Sequence, residues 1–342
     1  MEKTTGTDSP DLIYPTERPL FFSIFALATI FWVGFAIASL GIGLIVIVLG
    51  GLLGICLNCL FIAQIKGYGI RVSATQYPDL YAETKRISDR IGLTKLPSVY
   101  VFNGSGMINA FALKVVMRDF VVITTDLLVA CDNDKELTSF ILGHEIGHHV
   151  RKHTLFSSFF APVRLVPWLY TAYSRACEYT CDAYGARFGA SSLEKARQAV
   201  AVLATANYGR SAALDAAAYE EQARDVSQFW PAVVYTNSSH PFTALRFSRI
   251  RTFFEPNQPV VLPKANLFGM VLGPIFSFGF LAVIYIGLIA GVAFASVLEK
   301  TEKDDAAYEE DGIEYYDDHY CLEDGECYLY QEEAENSLPI EP

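Results

Sequence analysis

Charged residues are missing from two long stretches of this 342-residue chain. No Asp, Glu, Lys or Arg occurs in the 47 residues between Arg18 and Lys66, or in the 34 between Lys264 and Glu299. Runs of that length have no place in an ordinary soluble domain and call for a lipid bilayer. A basic stripe is lacking too. The net charge of −12 arises from a tail after Lys264 that carries −15, while residues 66–264 carry only +5. Without such a stripe, nucleic-acid binding is excluded. Internal repeats are absent. The seven cysteines show no metal-finger spacing, for Cys56 and Cys59 form a C-x-x-C inside an apolar run, where they read as small lipid- or helix-facing residues. Cys177 and Cys181 read as packing residues of a helix.

What is present begins with the first apolar run. At about 1.5 Å per residue its helical length is roughly 70 Å, twice a hydrocarbon core of about 30 Å. Phe21 to Ala63 therefore reads as a helical hairpin turning near Ser39 to Gly43. A cleaved leader processed at Ala36-Ile37-Ala38 is disfavoured, because the segment ahead of the run is too long and too acidic. The second run reaches roughly 51 Å, too long for one upright span and short for two. An interfacial entry and one span from about Pro274 to Val297 are expected, with a tight hairpin as the rival. Lys66, Arg71, Lys85 and Arg86 follow the first hairpin and Lys264 precedes the last span. By the positive-inside rule, the N-terminus and the central region face the cytoplasm. The exported tail, rich in Glu, Asp and Tyr, is expected to be disordered, and Cys321 and Cys327 could close a small disulfide loop there. The chain thus divides into a cytoplasmic N-terminal segment (1–18), a transmembrane hairpin (19–65), a central domain (66–264), a C-terminal transmembrane segment (265–298) and an acidic tail (299–342).

Within the central domain, Thr75 to Ile91 has helical spacing, while Ser98 to Phe102 and Phe120 to Thr124 read as strands. Asn133-x-x-Glu136 resembles a capping box and opens a helix running to about Lys152. Leu137, Phe140, Ile141, His144 and His148 share one face of it, so two imidazoles stand where a core would want aliphatics. His144-Glu145-Ile146-Gly147-His148 is an H-E-x-x-H motif. Residues i and i+4 lie one turn apart, so both imidazoles can reach one ion, and Glu145 is placed to take a proton from an attacking water. The alternative is a buried helix whose histidines bond to carbonyls.

The longer pattern with a glycine and a third histidine is also missing, since Arg151 and Thr154 occupy those places. His149 and His153 lie off the ligand face and read as surface or supporting histidines. A carboxylate from a later helix remains. Glu178 and Asp182 are four apart on one face, so one can bind metal while the other orients a ligand imidazole.

At this point the chain resembles the membrane zinc endopeptidases that include bacterial HtpX and the type I CAAX prenyl proteases. Four elements match in order: Asn109-Ala110-Phe111-Ala112, the His144 to His148 motif, Arg175-x-x-Glu178-Tyr179-x-x-Asp182, and Ser239-His240-Pro241 with Arg246 downstream. The resemblance covers roughly Ser73 to Arg251. It implies an α+β zincin-like metallopeptidase domain, mainly helical with a small sheet and flanked by transmembrane helices. It implies one Zn2+ per chain on His144, His148 and Glu178, with Glu145 as general base. Asp182 would support the site, a residue sometimes assigned as proton donor. His240 and Arg246 would stabilise the tetrahedral intermediate, and Asn109, Ala110, Phe111 and Ala112 would form the edge strand that pairs with an extended substrate. Two departures leave the substrate open. Only 29 residues separate His148 from Glu178, where HtpX-type enzymes insert a pair of spans, and the large helical chamber of the prenyl proteases is missing. Leu155 to Tyr170, interrupted by Pro162, Arg164 and Pro167, reads as a helix pair or a membrane-surface segment.

The expected function is that of an integral, multi-pass zinc endopeptidase of a bacterial cytoplasmic membrane. Its active domain would face the cytoplasm, and its partners would be polypeptide substrates and the bilayer. The alternatives are a dedicated protease for a lipidated or secreted precursor, and a non-enzymatic adaptor that uses the acidic tail. Oligomeric state is not legible.

Overall fold

The computed structural model describes residues 12–115, 118–258, 260 and 267–309, with three short strands between 313 and 329. The first apolar run forms α1 (Glu17–Ala38) and α2 (Ile42–Tyr68). They are joined by a turn at which Leu40 has φ 51° and Gly41 φ 88°, the left-handed region that favours glycine at the second position. Among the described residues, these two helices are long and apolar enough to cross a membrane. Only 11% and 6% of their most apolar windows are buried, so protein does not cover these surfaces and lipid is the solvent that suits them.

After α2 come β1 (Ile70–Arg71), α3 (Pro78–Ile91), β2 (Ser98–Phe102), β3 (Ala110–Val115) and β4 (Arg118–Thr124). Strand order is β1-β2-β4-β3. The chain leaves β2 for the sheet edge, and β3 then pairs antiparallel with β4, which fills the gap parallel to β2. Side chains alternate across the sheet, and both faces are apolar. Val99, Val101, Val121 and Ile123 join the main core, whereas Tyr100, Phe120 and Val122 pack with Ile62 and Ile65 at the end of α2. The long apolar helix α2 is thus one of the layers that enclose the sheet.

The helices α4 (Thr125–Ala130), α5 (Lys135–Val150) and α6 (Pro167–Tyr184) follow. The cap of α5 differs from the sequence expectation. Asp134, not Asn133, accepts the N–H groups of Glu136 and Leu137, because Asn133 sits at φ 56° in the preceding turn. The segment before α6 is a set of turns and a 3-10 turn (Ala161–Leu165) in place of a helix pair. Phe156, Phe159 and Phe160 dock it against Phe21 and Phe25 of α1, and Trp32 Nε1 donates to Phe159 O at 2.9 Å.

A π turn (Gly185–Gly189) extends α6 against α5. A Cβ on Gly185 would lie 2.7 Å from Phe140 O, and one on Gly143 would lie 3.0 Å from Gly185 Cα. Glycine on both helices is what allows the backbones so close, and that approach sets α6 beside the motif helix. The remaining helices are α7 (Leu193–Thr205), α8 (Tyr208–Ala212), α9 (Ala216–Gln222), α10 (Phe229–Asn237), α11 (Thr243–Phe254) and α12 (Leu267–Glu309).

In place of an interfacial entry and a break at Pro274, α12 is one uninterrupted helix that also takes in the first part of the acidic tail. From Phe278 onward the chain forms a second unit. There the expected disordered tail is corrected at 313–315, 319–322 and 327–329. Ile313–Tyr315, His319–Leu322 and Cys327–Leu329 form three antiparallel strands, β5 to β7. Tyrosine and aliphatic residues at these positions favour a ladder that the overall acidity obscured. Cys321 pairs directly opposite Cys327 in that register.

Candidate metal centre

Helical periodicity puts His144 and His148 on one face of α5, and the glycine contact brings α6 across that face. His144 Nε2 lies 3.3 Å from Glu178 Oε2, and His148 Nε2 lies 3.5 Å from Glu178 Oε1. Two donors held about 2.0–2.1 Å from one tetrahedral ion are themselves about 3.3 Å apart, so the spacing suits a small cation.

The hydrogen bonds behind the imidazoles say the same. His144 Nδ1 is 2.9 Å from Asp182 Oδ1, and Arg246 donates to both oxygens of Asp182, at 2.9 and 2.7 Å. An ionised carboxylate only accepts, so His144 carries a proton on Nδ1 and Nε2 is the atom left to serve as a ligand beside Glu178. Two electron-rich atoms facing each other in a buried site require a positive charge between them, a proton in the metal-free protein or a metal ion in its place. Burial opposes charge on His144, but the Asp182 and Glu178 carboxylates outweigh it and raise its pKa to about 10. Burial likewise resists ionisation of Glu178, yet His144 and His148 hold its carboxyl well below the usual range. His148 itself is kept well below the ordinary histidine range by burial. The residues therefore fit a divalent metal ion, and His144, His148 and Glu178 form a group able to hold one.

Glu145 is buried beside this group, 6% exposed. Burial raises its pKa to about 7, opposed in small part by the backbone N–H of Ala112. That proximity ties the site to the sheet edge. Thr124 N–H donates to Asn109 O, and Asn109 N–H donates to the Thr124 hydroxyl, so in the alternating antiparallel pattern Phe111 also faces β4, while Ala110 and Ala112 face the outer edge. Phe111 turns its ring toward Phe61 of α2. Of the four residues expected at a substrate edge, Ala110 and Ala112 turn their backbone groups to the outer side of β3, with the Ala112 N–H directed at Glu145.

His240 stands at the open side, 67% exposed in its side chain, with Nε2 3.6 Å from Glu178 Oε1. Arg246 is buried with its guanidinium committed to Asp182, so it supports His144 from behind and does not line the opening. Sequence reading placed Arg175 in a motif but gave it no role; its Nη1 donates to Tyr235 O, Thr236 O and Ser238 O and so fixes the turn that presents His240. It also passed over Glu17, whose only signal was a carboxylate at the mouth of an apolar run. Cys177 and Cys181 are buried, and burial pushes both thiols well up, as expected of packing residues.

A cavity of about 510 Å³ opens on this group. His148 and Glu178 form part of its wall, Leu113 and Lys114 bring in the sheet edge, and Gly54 and Asn58 bring in α2. Among curated proteins none matches the chain at a significant level. The sequence profile of peptidase family M48 matches residues 74–171 and 158–253. Those matches take in the whole metal centre and more than half of the chain, which therefore belongs to peptidase family M48, the family of HtpX and the CAAX prenyl protease.

Proposed function

We propose that this M48 metallopeptidase is an integral-membrane, zinc-dependent endopeptidase with a zincin-like active domain, acting on membrane-associated or misfolded proteins. The observation that carries the reading is the shared cavity, in which one wall is the metal-binding group and the other is the membrane helix α2. The α2 wall of the cavity runs from Gly51 to Asn58, about 15–25 Å from the end of a helix whose 27 residues reach about 40 Å. Against a hydrocarbon core of about 30 Å, that wall lies roughly 10–20 Å inside the edge. A substrate there would be a polypeptide at or emerging from the bilayer.

His144 Nε2, His148 Nε2 and Glu178 would hold the zinc, which supplies Lewis-acid polarisation of the scissile carbonyl and acidifies water. An extended substrate segment adds to the sheet by bonding to the outward-facing backbone groups of Ala110 and the Ala112 carbonyl. That pairing sets the scissile bond beside Glu145. Its buried carboxylate, with a pKa near neutrality, removes the proton from the attacking water and returns it to the leaving amine. His240, at the mouth of the site, donates to the developing oxyanion. Asp182 and Arg246 hold the His144 ring in its ligating tautomer. The catalytic domain is assigned to the cytoplasmic face of a bacterial membrane by the basic residues that flank the hydrophobic runs.

The test is cleavage of an unfolded protein by the detergent-purified chain, beside Glu145→Gln and with a zinc chelator. Loss of cleavage in both arms is expected. Undiminished cleavage by Glu145→Gln with zinc bound would refute the mechanism. Release of a single defined product from membrane extracts would favour a dedicated precursor over broad quality control.

A further inference from the structure

His144 owes its tautomer to Asp182, but no carboxylate touches Nδ1 of His148. Its partner is another imidazole: His148 Nδ1 lies 3.0 Å from His153 Nδ1, and His153 Nε2 lies 3.3 Å from Glu17 Oε1. Glu17 is the first residue of α1 and is 3% exposed. The same Oε1 accepts from Arg151 Nε and Nη2 at 3.1 and 3.0 Å, and Oε2 accepts from the Thr180 hydroxyl. Arg151 caps the end of α5, and Thr180 lies on α6 between Glu178 and Asp182.

When His148 gives Nε2 to a metal ion its Nδ1 carries a proton, and these contacts then leave a single consistent set. A carboxylate that accepts from a guanidinium and a hydroxyl is ionised and has only acceptor capacity, so His153 Nε2 must carry a hydrogen. His153 then offers a bare Nδ1. His148 Nδ1 must donate to it, and the lone pair of His148 is left on Nε2, the atom that faces Glu178. We propose that Glu17, at the foot of the first membrane helix, is a positioning residue that acts through His153 to fix His148 in its metal-binding tautomer. The seating of α1 and the readiness of the metal centre are thereby one structural event. A neighbouring arrangement is a rival, for His148, His153 and Cys181 also converge and could take a second ion.

The inference rests on His148 being a metal ligand, so His148→Ala is measured alongside and must itself lose zinc. The experiment uses the full chain in detergent. Zinc affinity is read by competition with a chromogenic chelator, metal stoichiometry by elemental analysis, and the tautomer by 15N shifts of labelled histidine in the metal-free protein. Glu17→Gln and His153→Gln are each expected to weaken zinc binding about 10- to 100-fold. The double variant should be no weaker than the worse single one, because both act along one path. The His148 proton should move from Nδ1 to Nε2 in Glu17→Gln. Should Glu17→Gln not fold, Glu17→Asp draws the carboxylate back from His153 without removing its charge, and a loss in the same range is expected. Zinc affinity within twofold of wild type, or losses that multiply in the double variant, would overturn the proposal. So would two zinc ions per chain with one lost on Cys181→Ser. Wild-type affinity in His148→Ala would instead refute the metal centre as assigned.

Discussion

Arg246→Met removes a guanidinium from a buried site. Asp182 and Arg246 are 2% and 8% exposed in their side chains and meet through two hydrogen bonds of 2.7 and 2.9 Å. Breaking a buried pair by deleting one partner costs about 3–5 kcal/mol, since the other charge is left uncompensated. A second consequence follows in the metal centre. Burial alone would raise the Asp182 pKa, and Arg246 is the largest influence opposing it. Without Arg246 the carboxylate loses the partner that holds its orientation, and His144 Nδ1 loses a fixed acceptor. The His144 proton is then no longer confined to Nδ1 and competes with the metal at Nε2. Arg246→Met should therefore lose about 3–5 kcal/mol in urea unfolding of the metal-free protein. Its zinc affinity should fall about 10- to 100-fold. If Arg246 instead touches the reaction intermediate, the variant will unfold within about 1 kcal/mol of wild type, bind zinc normally and lose only turnover. That result would refute the positioning argument.

The contact of α5 with the extension of α6 is equally exposed to test. Gly185→Ala would press a methyl against Phe140 O, and a loss of about 1–3 kcal/mol is expected in thermal melts. Gly209→Ala, whose Cβ would meet only Asn207 Oδ1 at 3.5 Å, serves as the control and should melt like wild type. Asp134→Ala removes the cap of α5 and the 2.6 Å bond from Lys195, and should destabilise by about 1–2 kcal/mol at neutral pH. Although burial opposes it, Lys195 and the helix N–H groups hold the Asp134 carboxyl below its usual range. Its stabilisation is therefore complete above the ordinary aspartate pKa of about 3.9 and disappears as pH falls through the lower folded value, so the two melts should converge in acid. Glu145 acts as a base only when ionised, and burial raises its pKa to about 7. A bound cation lowers that value, so cleavage should decline on acidification with a midpoint no higher than about 7. A rate that rises on acidification would exclude Glu145 as the base.

Much of the metal centre was legible because it depends on local geometry. The i, i+4 spacing of His144 and His148 is a property of any helix, and the two long uncharged runs are a property of composition. Where sequence reading went astray, local signals competed. Asn133 and Asp134 are both good caps, and only the turn before α5, with Asn133 at φ 56°, decides that Asp134 takes the part. The acidity of the tail outweighed the alternation of tyrosine and aliphatic residues that builds β5 to β7.

The sequence by itself determined that two imidazoles and a carboxylate stand on one helix and that lipid-seeking helices accompany them. Helical periodicity and apolar run length need no long-range contact to take effect. Only the tertiary structure decided which distant groups complete the site. Glu178 reaches the histidines through a glycine-lined crossing, Arg246 reaches Asp182 from α11, and Glu17 reaches His153 across 136 residues of chain. Those meetings depend on which faces bury against which, and no pattern within a single segment carries that information.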